Sequence, residues 1–270
     1  MTKVLGLMTC FNRKEKTVRA LRNLIEGNPN IHMSFIVADD GSSDGTYEAL
    51  QEMPEVTILR GNGSLFYSGG MRLAIGEAKK SAESYDYCLL FNDDVDFVQF
   101  AIEDLCKRDN SVIWVGPTSD EQGKLSYGGV VKNSKWRPKT EIVMADTESG
   151  RVCDTFNANC VLIPWDIFKK LDNIDSVYTH SMGDFDYGFS AKRKGIQIKV
   201  SDKFVGVCPD NPVQVSWRNT ELSFKERLKR KESPKGLPGN EWFHYLAKNY
   251  NVVTAVVYSA IPYLRIVLKK

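Results

Sequence analysis

SFIVADDGSSDGT, residues 34–46, is a short apolar run that stops on two aspartates and a turn of glycine and serine. Phe35 to Ala38 suit a buried strand, Asp39 and Asp40 stand at its end, and Gly41 to Gly45 are turn formers able to cap a following helix. The same unit recurs on either side. Residues 3–9 (KVLGLMT) run into Cys10-Phe11-Asn12-Arg13, and residues 15–27 then place Val18, Leu21 and Ile25 on one helical face. Residues 56–60 (VTILR) read as a third strand, residues 61–70 (GNGSLFYSGG) as a glycine-rich loop, residues 71–84 as a helix and residues 87–91 (YCLLF) as a fourth strand. Strand–helix alternation of this kind predicts a mostly parallel sheet with helices on both faces.

The second half is less regular. Residues 112–116 and 155–163 read as strands, with a hairpin expected around Leu125 to Val131, a helix over 184–194 and extended chain over 196–207. No linker or repeat interrupts this, so one continuous domain is expected over 1–220. Its regular half would be 1–97 and its less regular half 98–220, and residues 221–270 would form a basic and apolar helical tail.

Bulk composition narrows the function classes. The chain has 270 residues, 42% hydrophobic and 26% charged, as in ordinary globular proteins. Thirty-six Lys and Arg against 34 Asp and Glu give +2, too balanced to argue for a nucleic-acid partner. Six scattered cysteines with no CxxC spacing, and no secretory leader, predict reduced thiols and a cytoplasmic protein.

In open α/β sheets, ligands lie beyond the carboxyl ends of the strands. Each of the first four strands ends in unusual chemistry: Thr9 to Arg13, Asp39-Asp40, the Gly61 to Gly70 loop, and Asn92 to Asp96. The last crowds Asp93, Asp94 and Asp96 together, where like charges repel unless something positive sits among them. Alternation along an extended segment would point Asp94 and Asp96 one way and Asp93 the other. Two carboxylates on one side suit Mg²⁺ or Mn²⁺. A solvated turn capping a helix from about Phe97 is the other reading, and the cluster alone leaves both open.

VADDGSSDGT (37–46), NDDVD (92–96) and GDFDYGFSAKRKG (183–195), taken in order and spacing, resemble the family-2 glycosyltransferases of GT-A fold, in particular those of bacterial polysaccharide and rhamnosyl type. The resemblance covers about residues 3–207. It implies a Rossmann-like, mostly parallel central sheet with helices on both faces and a smaller mixed sheet on the acceptor side. The implied activity is metal-dependent, inverting transfer from a nucleoside-diphosphate sugar to a glycan or lipid-linked acceptor, in cell-surface polysaccharide synthesis.

Carried over by position, the resemblance assigns Thr9, Phe11, Asn12, Arg13, Asp39 and Asp40 to the nucleotide. A carboxylate there would accept from ribose hydroxyls and a base N–H. Gly69 and Gly70 would bring backbone N–H groups to the diphosphate, with Arg72 adding a charge-assisted bond. Asp94 is the implied metal ligand, joined by Asp96 on one alignment and with Asn92 and Asp93 beside the donor on the other. Asp184 is the implied general base. Asp186, about 200° away on a helix, would orient or pair with Lys192 or Arg193. Gly183 stands where the family carries an acidic residue, and His180 and His244 align with no role.

Residues 221–235 are basic and residues 251–268 apolar, the latter interrupted by Pro262 and Arg265 and short of a comfortable span. Peripheral contact with the inner face of a membrane, or packing on the domain or across a homodimer, are both open. Two other classes compete for the whole chain. A nucleotidyltransferase would carry a basic glycine-rich signature where TCFNR (9–13) stands, and a silent nucleotide-sugar-binding protein would lack Asp94 or Asp184.

Overall fold

The computed structural model describes residues 1–209 and 216–269. The first half runs β1 (Thr2–Cys10), α1 (Lys14–Gly27), β2 (Ile31–Asp39), α2 (Thr46–Gln51), β3 (Val56–Arg60), α3 (Phe66–Lys80), β4 (Tyr87–Phe91), β5 (Asp96–Phe97) and α4 (Ala101–Cys106). Short strands follow: β6 (Ile113–Val115), β7 (Thr118–Ser119), β8 (Leu125–Tyr127), β9 (Gly129–Lys132), β10 (Thr140–Val143), β11 (Arg151–Cys153), β12 (Thr155–Phe156) and β13 (Cys160–Pro164). The chain then continues through α5 (Trp165–Lys170), α6 (Gly183–Arg193), β14 (Ile198–Val200), β15 (Gly206–Val207), α7 (Phe224–Glu232), α8 (Gly239–Asn249) and α9 (Val252–Val267).

Eight strands form the main sheet in the order β11-β14-β6-β13-β4-β1-β2-β3, and three- and four-stranded sheets flank it. β1 to β4 are mutually parallel where they pair, whereas β13 runs antiparallel to both neighbours. The central strands bury both faces, so each feeds two cores by alternation. Leu5, Leu7, Ile36 and Ala38 meet α3, α5, α6 and α8 on one side. Val4, Met8, Phe35 and Val37 meet α1, α2 and α4 on the other.

Register brings the carboxyl ends together: Cys10 lies beside Asp39, and Asp39 beside Arg60. α3 packs against this edge because Gly70 has no side chain. A methyl group there would overlap Thr9 Oγ1 and come within 2.6 Å of Thr9 Cβ. α3 starts five residues earlier than residue 71, and the reason is tertiary: Asp40 Oδ2 accepts from the N–H groups of Leu65 (2.9 Å) and Phe66 (3.0 Å). A distant carboxylate thus satisfies donors that a helix start leaves open.

The hairpin expected around Leu125 to Val131 does not form. One residue, Gly128, separates β8 from β9, too few for a hairpin loop, and the strands diverge. β8 pairs with β7 in one sheet while β9 pairs with β10 and β12 in another. The strand expected over 155–163 is also broken, at Asn157 to Asn159. In the C-terminal segment, Tyr245 and Leu246 of α8 and Ala255 of α9 are buried in the same core as α3 and α6. Among the described residues no helix is long and apolar enough to cross a membrane. All six cysteines are free thiols.

Gly70→Ala is expected to force α3 off β1 and to lower stability by about 1–3 kcal/mol, as overpacking does. A urea unfolding midpoint equal to that of the parent chain would show that the close approach at Thr9 is not a constraint.

Candidate active site

The cation implied by the crowded aspartates is Arg13. Its Nη1 lies 2.8 Å from Asp93 Oδ1 and its Nη2 3.4 Å from Asp94 Oδ2. Asp93 is buried and also accepts from Thr17 Oγ1 at 3.2 Å, which ties the end of β4 to α1. Burial pushes the Asp93 carboxyl up to about 6 against the pull of Arg13, and Asp94 adds to the rise. Asp96 does not join Asp94. It is exposed and pairs with Arg19 Nη2 at 3.0 Å on the outer face of α1, so the expected pair of co-directed carboxylates is replaced by two separate ion pairs.

Asp39 and Asp40 are turned inward. Asp39, 0% exposed, pairs with Arg60 and accepts from Ser42 N at 2.9 Å, while Arg60 lies 4.6 Å above the Tyr47 ring. Asp40 takes the N–H of Gly63 at 2.8 Å as well as those of Leu65 and Phe66. Both carboxylates therefore shape the loops at the strand-end edge. Asp44, read from sequence as a cap, accepts from Lys14 N and Thr46 N. Asn12 fastens the same loops, with its N–H donating to Ser42 Oγ (2.9 Å) and its Oδ1 accepting from Ser43 N (2.8 Å). Phe11 alone among these is an exposed aromatic ring, at 49%.

Three further expected site residues already have partners in the fold. Thr9 is half-buried, its hydroxyl donating to Ala38 O at 2.9 Å. Gly69 and Gly70 are buried inside α3, and the Gly69 N–H is already spent on Leu65 O at 3.0 Å. Arg72 Nη1 donates to the carbonyls of Tyr178 (2.7 Å) and Asp175 (3.1 Å), so it pins the segment before α6.

Asp184 opens α6. Its Oδ1 accepts from Phe185 N at 2.8 Å and its Oδ2 from Ala158 N at 3.2 Å. Burial raises its carboxyl to about 6 although these two N–H donors pull the other way. Gly183 explains the absent acidic residue: a Cβ there would overlap Ser68 Oγ and meet Ile174 at 3.0 Å, so α6 crosses α3 too closely for a side chain. Asp186 faces away, buried, and bonds Lys248 (2.7 Å) and Asn249 (2.8 Å), with Arg193 at 3.6 Å. Lys192 pairs with Asp154 instead.

What joins the two ends is the broken strand. Ala158 N holds Asp184, and the next residue, Asn159, accepts from Asn92 Nδ2 at 3.3 Å and donates to Cys208 Sγ at 3.3 Å. Cys208 in turn lies 3.7 Å from Asp94 Oδ1. Asp94 and Asp184 are thereby fixed to one three-residue segment. Tyr67 reports the same neighbourhood, since burial raises its hydroxyl well above the usual range and Asp184 and Asp94 both add to the rise. Sequence reasoning missed Asn159, Cys208 and Tyr67; the polar NAN string (157–159) inside an apolar run was the available signal for the first. His180, whose Nδ1 faces Tyr67 N at 3.4 Å, is pushed down to about 4 by burial and then by Lys235.

Backbone strain collects at this edge. Asn12 (φ 51°), Phe66 (φ 52°) and Met182 (φ 67°) hold left-handed conformations at the entries to α1, α3 and α6. Such residues cost on the order of 1–2 kcal/mol each and persist where surrounding contacts impose them.

A metal fits only in part. Among the described residues no three His, Cys, Asp or Glu side chains are grouped to hold an ion. Asp94, with a side chain 37% exposed, is open to a ligand beside Arg13, whereas the more exposed Asp96 is turned to Arg19 on α1. A single carboxylate suits Mg²⁺ or Mn²⁺ when substrate phosphates and water complete the shell.

The architecture is that of a GT-A glycosyltransferase. The profile described as Glycosyl transferase family 2 matches residues 7–156, more than half of the chain, and the protein belongs to that family. No curated protein sequence matches it. Among solved structures it is similar to a mannosyltransferase, PcManGT from Pyrobaculum calidifontis, in complex with GDP-Man and Mn²⁺, at 14% identity and TM-score 0.52, over 96% of this chain and 74% of that one. It is also similar to S. aureus TarS at 12% identity and TM-score 0.59, over 100% of this chain and 53% of that one. The chain thus spans about half of TarS, and at these identities the likeness concerns the fold.

Arg13→Ala should expose how much Asp93 depends on its partner. The variant is expected to lose about 1–2 kcal/mol at pH 8, where Asp93 is ionised and Arg13, itself over a third exposed, is partly screened by water. Below pH 6 Asp93 binds a proton in the folded state and needs no cation, so by pH 5 the loss should shrink to the small part owed to the exposed Asp94 contact. Equal losses at both values in urea unfolding would contradict this account.

Proposed function

We propose that this glycosyltransferase moves a sugar from a nucleoside-diphosphate donor to a hydroxyl of a glycan or lipid-linked saccharide, with inversion at the anomeric carbon. The observation that supports it best is the Ala158–Asn159 link, which holds Asp184 at one end and, through Cys208, Asp94 at the other. In this reading the acceptor oxygen attacks the anomeric carbon as the bond to the diphosphate breaks. Asp184 takes the hydroxyl proton, and the nucleoside diphosphate leaves. A carboxyl titrating near 6 is well matched to a proton transfer at neutral pH.

The donor would lie across the strand ends, with Phe11 available to stack on the base and the loops tied by Asn12, Asp39 and Asp40 forming its walls. Asp94 would hold Mn²⁺ or Mg²⁺ arriving with the donor, and the ion when bound would supply positive charge for the departing diphosphate. Arg13, beside Asp94, adds a fixed positive charge that does not depend on metal. Asn157 Oδ1 is buried with no hydrogen-bond partner, an acceptor that a sugar hydroxyl would satisfy. Synthesis of cell-surface polysaccharide is the setting that the resemblance to bacterial transferases favours.

Asp184→Asn is expected to retain donor binding while transfer falls by about a hundred- to ten-thousand-fold. Donor turnover by the parent chain across a panel of sugar nucleotides is the accompanying control. Binding without release of nucleoside diphosphate from any donor would favour a silent binding protein. In the parent chain, kcat/KM should rise about tenfold per pH unit up to about 6 and level above it, since the base must be ionised. Asp94→Ala is expected to weaken donor affinity in Mn²⁺ and to change it little in EDTA. Equal weakening in both would remove Asp94 from the metal.

A further inference from the structure

α9 inverts the usual arrangement of a packed helix. It buries Thr254, Ala255, Pro262 and Ile266 and turns its valines and leucines outward. Val252, Val253, Val256, Val257, Leu264, Val267 and Leu268 are each more than half exposed. At 100° per residue they fall within an arc of roughly 160° on one side of the helix. With Tyr263, this one segment holds eight of the eighteen exposed large apolar side chains among the described residues. A patch of that continuity marks an interaction surface.

Charge identifies the occupant. Residues 221–270 carry ten Lys and Arg against four Glu, a net of +6 in a chain whose total is +2. Residues 251–270 contain no acidic residue. α7, with Lys225 and Lys229 exposed, is locked onto α9: Arg227 Nη1 donates to Ile266 O at 3.4 Å, and Lys231 lies 3.8 Å over the Tyr263 ring. At the other end, Thr254 Oγ1 donates to Trp136 O at 3.0 Å, which sets a 66% exposed indole beside the first turn of α9. The neighbouring cavity, of about 700 Å³, is lined by Lys132, Lys135, Lys192, Arg193 and Lys248 with Asp154 as its one acidic residue. An apolar strip with tryptophan at its edge and cations on its flanks is what an anionic lipid surface recognises. Two copies meeting through this face would instead oppose like charges.

We propose that α9 docks this protein peripherally on an anionic lipid bilayer, with the valine–leucine face entering the headgroup boundary and the exposed Lys225 and Lys229 of α7 meeting lipid phosphates. The docking rests on the transferase reading only for its purpose, which is to bring the site to an acceptor carried on a lipid, and its test needs no turnover. Flotation of the full chain with vesicles of phosphatidylcholine alone, and with about a third phosphatidylglycerol, reads it directly. Binding is expected to the anionic vesicles, falling as salt rises and absent on phosphatidylcholine. Val253→Glu with Val256→Glu, both at exposed positions, should reduce binding about tenfold or more while leaving the melting curve and donor hydrolysis unchanged. Lys225→Gln with Lys229→Gln should reduce it and flatten its salt dependence. Failure to float with either vesicle, or equal flotation of the glutamate variant, would overturn the proposal. So would a dimer in light scattering that the glutamate variant breaks while vesicles stay unbound.

Discussion

A carboxylate at the end of a buried strand is tolerable only if a donor or cation is brought to it, and the strand-end edge of this protein is organised by that requirement. Arg13 answers Asp93 and reaches Asp94, Arg60 answers Asp39, and three backbone N–H groups answer Asp40. Each answer fixes a loop. The β1–α1 turn is held to β4, the turn after β2 is held to β3, and α3 acquires its N-terminus. Most of the acidic residues at this edge are therefore construction, and it is to Asp94 and Asp184 that the proposed transfer assigns chemistry.

Those two carboxyls differ in how they are held, and the difference fits different duties. Asp94 is partly exposed, with a guanidinium on one oxygen and a thiol near the other. Asp184 is recessed, receives two backbone N–H bonds and is pushed up by burial to about 6. A group that must take a proton benefits from that rise, whereas a group that must meet a cation benefits from staying open. The broken strand at Asn157 to Asn159 touches both, directly at Asp184 and through the Cys208 thiol at Asp94.

The central strands of the first half were legible because parallel strands buried on both faces read as unbroken apolar runs, as residues 87–91 do for β4. Residues 56–60 match β3 residue for residue although it is a partly exposed edge strand. The start of α3 was not legible, since its cap is a carboxylate 25 residues away in sequence. The hairpin at Leu125 to Val131 failed for a related reason: alternation identifies a strand and says nothing of its partner. Thr9, expected at the nucleotide, and Gly70 and Arg72, expected at the diphosphate, each meet a packing contact or a carbonyl that only the folded chain brings near.

By itself, then, the sequence determined the alternating α/β layout, the edge on which the candidate site lies and the acidic residues gathered there. These follow from local periodicity and from the rule that ligands gather beyond strand ends. The tertiary structure decided which aspartates are spent on Arg13, Arg19 and Arg60, what joins Asp94 to Asp184, and that α9 turns its apolar face outward. Pairings of this kind depend on which distant side chains meet at a few ångströms, and no period of 2 or 3.6 residues encodes that.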